Sequence, residues 1–234
     1  MSSRDGGAGV ERPGYRYLNL VTGVFVTCLI VSNIIAVKIV SVFGIVLPAA
    51  VVIFPISYIV GDVLTEVYGY GPARQVIWIG FACNAVAVLA MWVGGMLPAA
   101  GFWDGQAAYQ RILGYAPRLL GASFLAYLVG EFLNSVVLAK MKMATKGRWL
   151  WTRTIGSTLV GELADSGIFI TLSFAGTAGA PDLARLILAQ WLFKSAYETV
   201  ATPLTYWVVG FLKRAESVDH YDYYTDFNPF RLKG

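Results

Sequence analysis

The sequence predicts an all-α membrane protein with six transmembrane helices. Hydrophobic residues make up 57% of its 234 residues and the mean hydropathy is +0.62. Only 14% of the residues are charged, against about 25% in a typical soluble domain. A spanning helix needs roughly 20 mostly apolar residues, and six stretches meet that requirement: 17–37, 43–65, 76–97, 119–140, 154–175 and 186–211.

These segments divide the chain into three parts. Residues 1–16 form a polar, Gly-rich N-terminal extension, 17–212 form the transmembrane domain, and 213–234 form a polar, aromatic tail. The first apolar segment is too long for a signal-peptide core and has no clear cleavage site, so it is predicted to be a retained first span. The tail cannot bury a core of its own, and we expect it to pack on the cytoplasmic face.

The basic residues predict the orientation. Of the 18 Lys and Arg residues, thirteen lie in segments on the side of the N-terminus, four lie on the opposite side, and Lys194 lies inside the sixth segment. Because positive loops stay in the cytoplasm, both termini are predicted to be cytoplasmic. The expected location is a membrane that the chain crosses several times, with lipid around the helices.

Several functions are unsupported by the sequence. A net charge of +4 spread over short loops does not indicate nucleic-acid binding. Cys28 and Cys83 lie in different apolar segments without metal-ligand spacing. The single histidine, His220, lies in the tail, and the sequence has neither an H-E-x-x-H nor a G-x-S-x-G pattern. We therefore expect no metal, no cofactor and no enzymatic activity.

Carboxylates inside the apolar segments are the main functional signal. A charge near the bilayer centre costs at least about 2.5–3.5 kcal/mol on insertion scales, and such residues usually mark a substrate or ion path. The predicted site is a polar, acid-lined cavity that favours cationic or hydrogen-bond-donating solutes. The carboxylates within or at the ends of these segments are Asp62, Glu66, Glu131, Glu162, Asp165 and Glu198.

Three hexapeptides each begin with a glycine that is followed by an acid. They are GDVLTE from Gly61, GEFLNS from Gly130 and GELADS from Gly161. Residues three and four apart share a helix face. Asn134 should therefore project with Glu131, and Asp165 with Glu162. The glycine lets a neighbouring backbone approach closely. The likeness is compatible with an internal repeat or with chance.

Other polar residues in the segments are open to two interpretations. Lys194 and Glu198 are spaced to pair with each other along one helix, which would leave neither for a solute. Arg153 could anchor at the headgroups or pair with a carboxylate of another helix. Glu66 could be a plain interfacial carboxylate. Asn33 could contact a ligand or join two helices.

A set of ordered motifs resembles the bacterial queuosine-precursor transporter family. The motifs are LTEVYG from Leu64, GEFLNSVVLAKMK from Gly130, WTRTIGSTLVGELADS from Trp151 and DFNPF from Asp226. The resemblance extends over about residues 17–230. It implies an inner-membrane uptake transporter for deazaguanine precursors of queuosine, with an architecture similar to the substrate-binding subunits of energy-coupling-factor vitamin transporters.

The implied ligand suits the acids. A deazaguanine presents an amine and a ring N–H on one edge, and a carboxylate can accept both. Aromatic rings could stack on its flat face. The predicted substrate-binding residues are Glu131, Glu162, Asn134, Asp165, Asp62, Asn33, Trp191 and Tyr197. The alternative function is a substrate-binding subunit of an energy-coupling-factor transporter for another vitamin-like solute. The expected partners are the small-molecule substrate, membrane lipid and either a second copy of the chain or an energy-coupling module.

Overall fold

The structure is a computed structural model that describes residues 15–42, 45–114, 117–176 and 179–231. These parts of the chain form a helical bundle with one short β-hairpin, so the predicted all-α class is confirmed. Residues 1–14 of the predicted extension lie outside the described residues. The helices are α1 (Leu18–Ile35), α2 (Phe54–Tyr68), α3 (Tyr70–Met96), α4 (Gln106–Leu113), α5 (Pro117–Ala144), α6 (Leu150–Phe174) and α7 (Ala180–Glu216).

Four of the described helices are long and apolar enough to cross a membrane: α1, α3, residues Gly121–Ala144 of α5, and α6. Each corresponds to a predicted segment. The chain is therefore a multi-pass membrane protein. The sixth predicted segment lies within α7, whose 37 residues give a length of about 56 Å at 1.5 Å per residue.

In the described part of the second predicted segment, residues 45–65, the α-helix begins only at Phe54. Strands β1 (Ile39–Val42) and β2 (Ile45–Pro48) pair antiparallel, and a 3₁₀ turn over Ala49–Val52 leads to α2 at Phe54. The physical reason is local. Both strands are rich in β-branched residues, which favour strands, and Pro48 disfavours helix in the residue before it. Hydropathy alone does not distinguish such a run from a helix.

Helix α2 is short and lies inside the bundle. It packs against α1, α3, α5 and α7, and the core around it includes Val63, Leu64 and Val67 of its own sequence, each at most 1% exposed. Polar side chains of α2 are consequently held in the interior. This enclosure positions the candidate site.

Helices α5 and α6 pack closely through two glycines. A Cβ added to Gly161 would lie 2.9 Å from the carbonyl oxygen of Gly130, and one added to Gly130 would lie 3.2 Å from the carbonyl oxygen of Gly161. Two of the three hexapeptide glycines therefore form this contact, as expected for small residues between membrane helices.

The start of α1 and the end of α7 meet at one end of the bundle. The backbone N–H of Tyr17 donates to Glu216 Oε1 at 2.6 Å. Residues 213–216 of the predicted tail belong to α7. Residues 217–231, which are called the tail from here on, cover the same end of the bundle. The tail accepts hydrogen bonds at the Asp222 carboxylate from Tyr70 N–H at 3.1 Å and at the Pro229 carbonyl from Trp78 Nε1 at 2.8 Å. The tail therefore packs against the bundle, and the cytoplasmic position of this face stays a prediction.

Candidate functional site

Five buried carboxylates from four helices meet in the interior. Their side chains interact electrostatically across the helix interfaces. We call the group the acid cluster. Its members are Asp62 on α2, Glu131 on α5, Glu162 and Asp165 on α6, and Glu198 on α7, each at most 6% exposed. The helical spacing within the hexapeptides accounts for the shared faces, and the enclosed position of α2 accounts for the burial.

Within the described residues, the ion pairs of Lys194 lie on the α6 side of the acid cluster. Its Nζ atom lies 2.9 Å from Glu162 Oε2 and also forms a short ion pair with Asp165 Oδ2. The expected pairing of Lys194 with Glu198 along α7 is therefore wrong, since the ion pairs of Lys194 in the described chain reach α6. The physical reason is that two carboxylates on α6 offer a stronger field than one on the same helix.

Asn134 of α5 forms a hydrogen bond with the carboxylate on α2. Its Nδ2 donates to Asp62 Oδ1 at 2.7 Å. Within the described residues, five buried oxygens of the acid cluster and Asn134 have no hydrogen-bond partner: Asp62 Oδ2, Glu131 Oε2, Asn134 Oδ1, Glu198 Oε1 and Glu162 Oε2, the last of which lies 2.9 Å from Lys194 Nζ in an ion pair. Buried polar atoms are normally hydrogen-bonded. Unsatisfied acceptors concentrated in one place therefore favour a ligand that brings donors.

The glycine of the first hexapeptide makes room for one of these acceptors. A Cβ added to Gly61 would lie 3.0 Å from Glu131 Oε2. Any larger residue at this position would press on the Glu131 carboxylate. Gly61 therefore lets the acid of α5 lie directly against the backbone of α2.

Glu66 belongs to a separate group at the end of the bundle that carries the tail. Arg153 donates Nε to Glu66 Oε2 at 2.7 Å and Nη2 to Oε1 at 2.8 Å, and Lys213 Nζ donates to Oε1 at 2.5 Å. Lys142 Nζ donates to the Glu66 carbonyl oxygen at 2.6 Å. We call these four residues the Glu66 cluster. Because Glu66 is buried and paired with these cations, it is not available to a solute.

The remaining predicted residues lie outside the acid cluster or at its edge. Asn33 donates to Asn84 Oδ1 at 2.9 Å and so joins α1 to α3. Trp191 donates Nε1 to the Leu159 carbonyl at 2.9 Å and joins α7 to α6. Tyr197 is half-buried on α7 beside Glu198. The roles of Asn33, Trp191 and Tyr197 in ligand binding stay predictions.

Three residues of the site were not among the predicted ligands. Glu198 and Lys194 were set aside as a pair, and Tyr58 was not considered. The Tyr58 ring lies 5.8 Å from Lys194 Nζ. The helical spacing could have revealed Tyr58 as a residue of the site, because it lies one turn before Asp62 on the same helix.

The fold and the site together define a class of protein: a multi-pass membrane protein that buries a partly uncompensated acidic site between helices. Residues 48–208 match the family described as "Putative vitamin uptake transporter". Since this match covers more than half of the chain, the protein belongs to that family. The family is one of transporters, so the expectation that the chain is not an enzyme is confirmed.

Three curated relatives support the motif-based resemblance. The chain is 29% identical to the "Probable queuosine precursor transporter" of Bacillus subtilis over 75% of its own length and 77% of the relative. It is 30% identical to the "Queuosine precursor transporter" of Escherichia coli over 52% of each protein. It is 26% identical to the "Probable queuosine precursor transporter" of Haemophilus influenzae over 60% of this chain and 59% of the relative. No solved structure matches the chain.

Proposed function

We propose that this protein takes up deazaguanine precursors of queuosine and binds them at the acid cluster. The names of the three relatives support the substrate class. The observation that carries the site is the excess of buried carboxylates over cations, with Lys194 as the single cation that forms ion pairs within the described part of the cluster. A ligand that donates hydrogen bonds or carries positive charge would offset that excess.

Glu131 is the proposed first acceptor for the donor edge of the deazaguanine, because its Oε2 lacks a hydrogen-bond partner in the described chain. Glu162 is the proposed second acceptor, for the ring edge or for an aminomethyl ammonium. Asn134 and Asp165 would orient these acids and contact the carbonyl side of the ligand, and Asp62 would hold Asn134. A hydrogen bond to a charged group contributes about 1.5–3 kcal/mol.

Six membrane passes, cytoplasmic termini and an inner-membrane location complete the proposal. Helix α2 is only about 22 Å long at 1.5 Å per residue, so it would cross together with the β-hairpin. Non-helical backbone is tolerated at membrane depth where protein buries it. Lys140, Lys142, Arg148 and Lys213 lie near the end that carries the tail, and their positive charge favours a cytoplasmic position for that end.

Direct binding to the purified protein tests the substrate. We expect labelled deazaguanines to bind and unrelated vitamins not to bind. Glu131→Gln and Glu162→Gln should each weaken deazaguanine binding about 10- to 100-fold, since each 1.4 kcal/mol is a factor of ten. Asp182→Asn, an exposed change on α7, is the matched control. Unchanged binding in both Gln variants would refute the site.

A vitamin-binding subunit of an energy-coupling transporter is the second candidate, favoured by the description of the family as one of vitamin uptake. Uptake into liposomes that contain only this protein separates the two. Deazaguanine uptake without a partner supports the proposal. Vitamin binding together with uptake only when an ATPase module is added supports the alternative. Cross-linking in the same liposomes reports on a homo-oligomer.

A further inference from the structure

The buried charges at the tail end of the bundle are paired with opposite charges, whereas those in the middle are not all paired. In the Glu66 cluster, three cations surround Glu66, and two of them, Lys142 and Lys213, also pair with Asp219. In the acid cluster, Lys194 is held by Glu162 and Asp165. Among the described residues, the remaining acids Asp62, Glu131 and Glu198 take part in no ion pair, although each is at most 2% exposed.

Glu198 has the least compensated surroundings of these three. It interacts electrostatically with Asp62 of α2, Glu131 of α5 and Glu162 of α6, and among the described residues it forms no ion pair with a cation. Lys194, one turn earlier on α7, is engaged with α6, and Glu66, one turn beyond Asp62 on α2, is engaged with Arg153.

The polar neighbours of Glu198 do not replace a cation. Thr202, one turn later, donates its hydroxyl to the backbone carbonyl oxygen of Glu198 at 3.0 Å rather than to the carboxylate. The Oε1 atom of Glu198 is buried without a hydrogen-bond partner. Several buried carboxylates that interact electrostatically cannot all remain ionised without a cation. We therefore expect Glu198 to bind a positively charged ligand.

A proton fits this position better than a metal ion. The described residues contain no group of three His, Cys, Asp or Glu side chains arranged to hold a metal. A single carboxylate oxygen without a partner needs only one proton to become a neutral acid with its own donor.

We propose that Glu198 is a proton-binding site that couples uptake to a transmembrane proton gradient. The inference rests on the proposed transport function and adds its driving force. The Glu198 carboxylate takes one proton from the outer side and becomes a carboxylic acid while substrate is bound. It returns to the carboxylate when the proton leaves on the inner side. One proton per neutral substrate molecule permits about tenfold accumulation for each unit of pH difference.

Proteoliposomes containing the purified protein test the coupling. The probe is a labelled, nitrile-bearing deazaguanine. Because this probe is neutral, the membrane potential does not act on it directly, and the effect of the pH gradient on its uptake can be measured separately. We expect an acidic exterior to drive accumulation by the wild type. Glu198→Gln should lose the accumulation, and the uptake that it retains should no longer respond to the imposed pH gradient. Glu198→Asp, which retains an acid, should keep it, and Asp182→Asn should behave as the wild type.

Infrared difference spectroscopy of the purified protein tests the proton site without a substrate. We expect a protonated-carboxyl band that titrates in the wild type and disappears in Glu198→Gln. Gradient-driven accumulation by Glu198→Gln at the wild-type level would overturn the proposal, as would wild-type uptake that ignores the gradient while deazaguanine transport itself stands. If no deazaguanine is transported, the proposed function fails. In that case the absence of the infrared band would overturn the proton site as well.

Discussion

Arg153 of α6 and Glu66 of α2 form a two-pronged buried ion pair across the interior of the bundle. The two N–H···O distances are 2.7 and 2.8 Å, and the two residues are 87 positions apart in the chain. Both are at most 1% exposed. A planar guanidinium matches a carboxylate in this geometry. The pair fixes α6 to α2 directly beneath the tail.

Removing the charge of Glu66 should destabilise the protein strongly. Glu66→Gln leaves buried Arg153 without its carboxylate and removes one of the two carboxylates that Lys142 and Lys213 share. Loss of one partner from a buried pair typically costs about 3–5 kcal/mol. We expect a clearly lower Tm in detergent, measured by thermal unfolding. Asp182→Asn, in an exposed pair with Arg185, should leave the Tm almost unchanged. An unchanged Tm in Glu66→Gln would contradict a structural role of the pair.

A single methyl group between α5 and α6 should be harmful. In Gly161→Ala the new Cβ would lie 2.9 Å from a backbone oxygen of α5, which cannot rotate away. Overpacking of this kind costs about 1–3 kcal/mol. Gly167→Ala on the same helix is the matched control, because nothing lies within 4 Å of its added Cβ and alanine favours helix. The comparison is made by unfolding both variants in mixed detergent micelles.

Lys194 and Asp165 should be energetically coupled across the α6–α7 interface. Lys194→Gln leaves two buried acids without their cation, whereas adding Asp165→Asn removes one of those acids. The double variant should therefore be more stable than the sum of the single changes predicts, by about 0.5–3 kcal/mol for neighbours in one network. A double-mutant cycle of unfolding free energies measures this coupling. Strict additivity would show that the ion pair contributes nothing.

Docking of the tail should weaken in acid. Burial by itself would raise the pKa of Asp219, but hydrogen bonds from Lys142 and Lys213 outweigh it and hold the pKa below its ordinary value. A carboxyl whose pKa is lower in the folded state stabilises that state above its unfolded pKa of about 3.9. That contribution is lost as the pH falls through the folded value.

Hydrogen exchange of the tail amides against pH measures this effect. Exchange in the wild type, after correction for the intrinsic rate, should rise at acidic pH. Asp219→Asn should exchange faster at neutral pH and show less change in acid. Asp182→Asn should retain the wild-type profile. A wild-type profile in Asp219→Asn would exclude this residue as the source of the pH dependence.

Hydropathy was sufficient to locate the long apolar helices. The segments that became α1, α3, α5 and α6 were found within a few residues, since a long apolar run determines a span by itself. The segment around residues 43–65 was misread as one helix, because β-branched residues are as apolar in a strand as in a helix. Local composition does not reveal the hairpin that shortens α2.

The acids of the hexapeptides were also recognisable in advance. Glu131, Asn134, Glu162 and Asp165 share helix faces by spacing alone, and they do meet. The partners of the cations were not recognisable. Lys194 has Glu198 at the ideal spacing on its own helix, yet it pairs with α6, and the sequence left two interpretations of Arg153 open.

By itself, the sequence determined that this chain is a multi-pass helical membrane protein of a transporter family and which acids lie in its interior. Both follow from hydropathy, helical period and motif order, which are properties of the chain read locally. Only the tertiary structure decided which charges neutralise one another and which are left uncompensated. Ion pairing depends on distances of a few ångströms between residues far apart in sequence, and those distances exist only after α2 is enclosed by its neighbours.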